Sequence, residues 1–280
     1  MRLLRLTDYQ RQIQGDNLQQ IIEGNTSILL DVEQAAQAEM TSYLVQRYQT
    51  NKIFTDTTAF DNTATYLAKN LVEYSCPDYV STTTYSTGTR VVYSGSIYIS
   101  LSASTGILPS TGTTSWSGIT TDKSLYYAKL PAPEYTNTTA YSIGSIVWYE
   151  DKTYQALQVN KGISPDADTS KWSASTTYSF TGIYPEDTNY WILGDNRNQQ
   201  IVMYLIDATL YHLHSRINPR NVPEIRAIRY DGANAFQSGG VIGWCKKVAS
   251  GDVTADLPQI NPTQGISIRW GSNTRNTNTY

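Results

Sequence analysis

The feature that most restricts what this chain can fold into is an internal repeat, which aligns without a gap when the sequence is laid over itself at an offset of 56 residues. Tyr85, Gly88, Val91, Tyr93 and Tyr98 fall on Tyr141, Gly144, Val147, Tyr149 and Tyr154. Further along, Gly106, Ile107, Pro109 and Trp116 fall on Gly162, Ile163, Pro165 and Trp172. Each unit reads as a glycine turn, two short strands joined at Ser94-Gly95 or Glu150-Asp151, and aromatics gathered on one face as a miniature core. Tyr98, Tyr154, Trp116 and Trp172 are the expected interior residues. Units this small must stack on a neighbour to be stable.

A shortened copy precedes them, because Tyr66, Val72, Tyr74 and Tyr79 repeat the spacing of Tyr85, Val91, Tyr93 and Tyr98. An aromatic stands six residues before the first tyrosine of each copy: Phe60, Tyr79 and Tyr135. Trp172 stands six before Tyr178, which predicts a fourth, incomplete unit ending near Trp191.

The flanks have a different period. Residues 7–49 read as two helices, the first opening at Thr7 and Gln10 in capping-box spacing and stopping at Glu23-Gly24-Asn25. The second starts at Thr26 or Ser27 and carries the stripe Leu29, Val32, Ala36, Met40, Tyr43 and Leu44, with Glu33, Gln34, Gln37, Gln46 and Arg47 on its wet side. Helical spacing returns from Asn198 through Leu213 and ends at Asn218-Pro219. Pro223 suits the first turn of another helix, and a last one runs from Val241 to Ala249 before Gly251.

A helical pattern that stops, yields to strands and resumes indicates one domain inserted into another. The expected class is therefore α+β and multidomain, a discontinuous helical bundle interrupted by small antiparallel β modules. Its expected parts are helical segments 1–51 and 196–257, a β insertion 52–195 with repeats 79–116 and 135–172, and an extended arm 258–280.

Composition excludes several functions. Charged residues are scarce at 16% while tyrosine is abundant at 22 copies, a balance that favours exposed β surface and contact faces. A net charge of -3 gives no basic footprint for neutralising phosphates, so dedicated DNA binding is not expected. No stretch approaches the roughly 20 apolar residues of a membrane span, and the opening MRLLRLTDYQ has no apolar signal core behind its arginines. Cys76 and Cys245 fall in different segments and are expected to be unpaired thiols.

Two resemblances follow from these residues. The order aromatic, Tyr, Gly, Val, Tyr, Tyr, Gly, Pro, Trp over Tyr79 to Trp116 and Tyr135 to Trp172 resembles the chitin-binding type 3 module. That likeness implies glycan contact through Tyr79, Tyr135, Trp148, Trp116 and Trp172. With the insertion removed, the flanks resemble the helical head-to-tail connector (adaptor) family of tailed phages and Mu-like prophages. The features that carry this are Arg47-Tyr48, then Asp207, Tyr211 and His212, then Pro223 to Arg229-Tyr230, then Trp244 to Val248, Ala249, Gly251, Leu257 and Pro258. In place of the family's short loop after Arg47-Tyr48 stands the whole β segment, and Asp231 to Gly240 lengthens a second connection.

The connector resemblance implies a virion structural protein of the neck, assembled in the host cytoplasm as a ring of roughly a dozen copies. Its partners would be the portal protein, neighbouring copies, and tail or neck proteins, with DNA only passing through the lumen and no membrane contact. The alternative is a glycan-binding tail accessory or receptor-binding protein that uses the β repeats. No catalytic, cofactor or metal site is expected: His212 and His214 lie two apart on a helix and face different ways. Glu186-Asp187 and Asp166-Ala-Asp168 read as solvated turn residues. In the arm, Ile266, Ile268 and Trp270 alternate like a single strand and form a candidate assembly latch that pairs with a neighbour.

Overall fold

The computed structural model describes residues 2–177, 180–232 and 239–260, so Tyr178, Ile266, Ile268 and Trp270 lie outside the described residues. In place of one helix from Thr7, a 3-10 helix spans Leu6–Arg11 and α1 spans Gly15–Ile21, with extended backbone at Gln14 between them. The break falls at residues 12–14, and Gly15 is the first residue of α1.

Helix α2 (Thr26–Leu44) is capped by the Asn25 side chain, which accepts from the Ser27 amide at 3.0 Å. Its stripe Leu29, Val32, Ala36, Met40 and Leu44 is buried as the spacing predicts. Glu33 corrects the expectation of a wet side. It is 1% exposed and accepts a hydrogen bond from the Tyr9 hydroxyl at 3.1 Å, because position 33 follows Leu29 by one turn and lies on the stripe. A short turn, α3 (Thr50–Ile53), continues the helical region past residue 51.

The later helices are α4 (Gln199–Ile217), capped by Asn198, then α5 (Glu224–Asp231) after Pro223, and α6 (Gly240–Ser250), which ends on a left-handed Gly251. Helices α2 and α4 pack along each other, α5 packs on α4 and α6, and α6 closes against α2. Past α6 the chain runs beside Tyr48, where Gln49 donates to the Pro258 carbonyl (2.8 Å) and Ile260 donates to that of Arg47 (3.0 Å). Leu6–Phe54 and Asn198–Tyr280 form one compact unit, and Met1–Arg5 with Thr55–Arg197 form the other.

The second unit begins with β1 (Thr57–Ala59) and β2 (Leu71–Tyr74), a parallel pair. There follow β3 (Thr84–Tyr85), β4 (Arg90–Tyr93), β5 (Ser96–Ser100), β6 (Ser104–Thr105) and β7 (Trp116–Thr121). Next come β8 (Ser124–Ala128), then β9 (Ala140–Tyr141), β10 (Ile146–Tyr149), β11 (Lys152–Ala156), β12 (Asn160–Lys161) and β13 (Trp172–Thr177), and last β14 (Trp191–Leu193). Antiparallel sheets β4-β5-β7 and β10-β11-β13 are the two repeats, and β1-β2-β8-β14 is a mixed sheet. The fold is thus mixed, helices together with several small sheets.

The mixed sheet is a third copy of the same module, cut in two places. Tyr74 pairs with Ser124 as Tyr93 pairs with Ser96, and Val72 pairs with Tyr126 as Val91 pairs with Tyr98 and Val147 with Tyr154. Trp191 lies opposite Ala128 as Trp116 lies opposite Ser100 and Trp172 opposite Ala156. One intact module replaces the hairpin turn after Tyr74, and the other is inserted between Leu130 and Phe180. This corrects two readings: Tyr126, not Tyr79, completes the shortened copy, and Trp191 closes that copy instead of ending a fourth.

Candidate functional site

The same aromatic clamp is built three times. In each copy two rings six residues apart lie nearly parallel: Phe60 with Tyr66 (6.0 Å), Tyr79 with Tyr85 (5.5 Å), and Tyr135 with Tyr141 (5.4 Å). The tryptophan meets the second ring edge-on, at 5.3 Å for Trp191, 5.4 Å for Trp116 and 5.3 Å for Trp172. Its indole N–H donates to an isoleucine carbonyl, that of Ile183, Ile107 or Ile163, at 3.0–3.1 Å. The second ring's hydroxyl donates to a carbonyl five residues back, that of Asp61, Val80 or Thr136. The indole N–H and the second ring's hydroxyl are thereby satisfied within a very small core, while the buried hydroxyls of Tyr79 and Tyr135 have no partner among the described residues.

This geometry redistributes the glycan candidates. Trp116 (3% exposed), Trp148 (6%) and Trp172 (1%) are buried, so they offer no open face for a sugar ring and leave the contact set that the resemblance implied. Trp116 and Trp172 close their own modules, as expected of them, whereas Tyr98 and Tyr154 are only part-buried. Trp148 points the other way along its strand, into the cluster of Val72, Tyr74, Tyr126 and Trp191 in the split module. Tyr79 and Tyr135 are part-buried, each with its ring stacked within its clamp.

Where the split module meets the first inserted one, Phe60, Asn62, Tyr74, Cys76, Arg90 and Tyr184 line a groove of about 530 Å³. The Arg90 guanidinium lies 3.5 Å from the Tyr184 ring centre and binds Glu186 through Nε (2.6 Å) and Nη2. Glu186 also accepts from the Tyr74 hydroxyl at 3.1 Å, and Asn62 donates to the Tyr184 hydroxyl at 2.9 Å. Burial pushes the Tyr74 hydroxyl and the Cys76 thiol above their ordinary ranges. Glu186 thus departs from the solvated turn residue that its sequence context predicts. The third Gly-Ile-x-Pro, at residues 182–185, was the signal that this loop belongs to a module.

No family model and no curated protein matches the chain.

In the helical unit, residues far apart in sequence meet in pairs. Arg229 Nη1 lies 3.5 Å from Asp207 Oδ1, the rings of Tyr211 and Tyr230 stack at 4.0 Å and 6°, and the Tyr48 hydroxyl accepts from the Ala255 amide at 3.2 Å. Glu39 receives both the Tyr230 hydroxyl (2.6 Å) and the His212 ring (2.9 Å). His214 turns instead to the Leu210 carbonyl, so the two histidines do not converge. Burial holds the Asp207 carboxyl above its usual range against the pull of Arg229 and Arg226, and pushes the Cys245 thiol up to about 12.

Among the described residues, no three His, Cys, Asp or Glu side chains are placed to hold a metal ion. No helix among them is long and apolar enough to cross a membrane. Both cysteines are free thiols.

Proposed function

We propose that this chain is a virion structural protein of a tailed phage, a head-to-tail connector subunit working in a ring between the portal and the tail. The observation that carries this reading is the pairing within the helical unit. The positions on which the connector resemblance rests, Tyr48, Asp207, Tyr211, Arg229, Tyr230 and Pro258, come from both sides of the β segment. They engage one another or their immediate neighbours through the Asp207 to Arg229 ion pair, the Tyr211 to Tyr230 stack and the strand contact at Gln49.

On this reading the helical bundle is one discontinuous core. The β modules are an insertion whose place is the connector family's short loop after Arg47-Tyr48. The work is assembly by geometry and burial, and no reaction is assigned. DNA would pass through the lumen without sequence reading, in keeping with the acidic net charge. Partners would be the portal, neighbouring copies and tail or neck proteins.

The test is localisation. Cryo-electron microscopy of the virion neck should show the helical unit in a ring of roughly a dozen copies under the portal, and the chain should co-purify with the portal in tailless particles. Its appearance only with detached tails, together with retention on host polysaccharide, would favour a glycan-binding tail accessory instead.

A further inference from the structure

We propose that the tyrosine faces of the two inserted modules are self-association surfaces, each shaped to take the apolar outer strand face of a second copy of this chain. The chain already makes this kind of pairing internally. Tyr74 and Tyr126 of the split module are 0% and 6% exposed and share one apolar cluster with Val92, Ile97 and Ile119 of the first inserted module. Glu186 ties the two together, because it accepts from Tyr74 and binds Arg90, a residue on the same strand face as Val92.

Parts of both halves stay open in the other copies: β10 buries Trp148, the counterpart of Val92, in the same cluster, while its outer end and the tyrosine faces keep exposure. The residues equivalent to Tyr74 and Tyr126 are Tyr93 and Tyr98 in one inserted module and Tyr149 and Tyr154 in the other, and all four are part-exposed. The residue equivalent to Arg90 in the second inserted module is Ile146. It lies on the face of Trp148, whose ring is buried against the split module, yet Ile146 is 53% exposed and neighbouring Ile143 70%. The third equivalent, Leu71, is 1% exposed. The apolar face therefore continues outward from an interface the chain already forms, and its position is covered in the other two copies. Tyrosine is enriched and charge depleted at such contacts. Joining Ile146 of one copy to a tyrosine face of the next is a head-to-tail contact, which builds rings or open chains.

The inference does not rest on the connector reading, and its test uses the isolated full chain. Sedimentation velocity over a range of concentrations should show self-association, which Ile146→Glu loosens at least about tenfold. Leu193→Glu, at a site 63% exposed in the split module, should leave association unchanged. Hydrogen exchange should slow in β10 and β11 as concentration rises. A chain monomeric throughout, or association indifferent to Ile146→Glu, overturns the proposal. So does quenching of tyrosine fluorescence by chito-oligosaccharides in a monomeric chain, which would assign these faces to glycan. Absence of the protein from the virion neck would sink the connector reading and leave this one standing.

Discussion

Lys69 and Gly88 hold the same place in two copies of one module. Both have positive φ, 67° and 86°, and each donates its amide across the sheet, to Ala128 at 2.7 Å and to Ser100 at 2.8 Å. Gly144 repeats this with φ 86° and a 2.8 Å bond to Ala156. A residue with a β-carbon is strained there. Gly88→Ala and Gly144→Ala should each destabilise their module by about 1–2 kcal/mol, seen as faster hydrogen exchange in β4–β5 or β10–β11. Unchanged exchange would mean that the turn relaxes to another conformation.

The nested arrangement predicts that the first inserted module is removable. Because Tyr74 faces Ser124 in the register that a two-residue turn imposes on Tyr93 and Ser96, replacing residues 75–123 with Ser-Gly should close β2 onto β8 directly. Amide protection in β2 and β8 should persist, with a lower melting temperature because Tyr74 and Tyr126 lose their cover. Loss of all protection there would show that the split module cannot form without its insert.

The three tryptophans should differ in reach. Trp116 and Trp172 belong to small cores confined to their own modules, so Trp116→Ala or Trp172→Ala should cost about 3–5 kcal/mol locally and leave the other module protected. Trp191 belongs to the cluster shared by all three copies, and Trp191→Ala should loosen all of them. Exchange measured strand by strand separates these outcomes.

Asp207 sets a pH dependence in the helical unit. Burial raises its folded pKa, with Arg229 and Arg226 opposing, so the folded state holds this proton to higher pH than the unfolded state does. Its contribution to stability is present below the unfolded carboxylate value of about 4 and is lost as pH rises through the raised folded value. Asp207→Asn should remove that decline, and urea midpoints taken across this window would check it. A midpoint that rises with pH in the parent chain but not in the variant would mean that the arginine pairing outweighs burial.

The sequence by itself determined the local period of nearly every segment. Helix α2 was legible because its buried residues recur at three and four, and the two intact modules because their copies run gapless side by side. Trp116 and Trp172 were legible as core because each recurs at a fixed distance from its glycine and proline. The third module was not, because its strands are separated by whole inserted domains. A sliding comparison sees contiguous matches, whereas hydrogen bonding joins Tyr74 to Ser124 regardless of what lies between.

Tertiary structure alone decided which equivalent residues are covered. Tyr74, Tyr93 and Tyr149 share one place in the repeat, yet only Tyr74 is fully buried, because only its copy receives a neighbouring strand face. Glu33 and Glu186 likewise read as solvated in sequence and found partners in the fold, Tyr9 for one and Arg90 with Tyr74 for the other. Burial is a property of what packs from outside the local segment. Periodicity fixes which way a side chain points, and only the packed chain fixes what it meets.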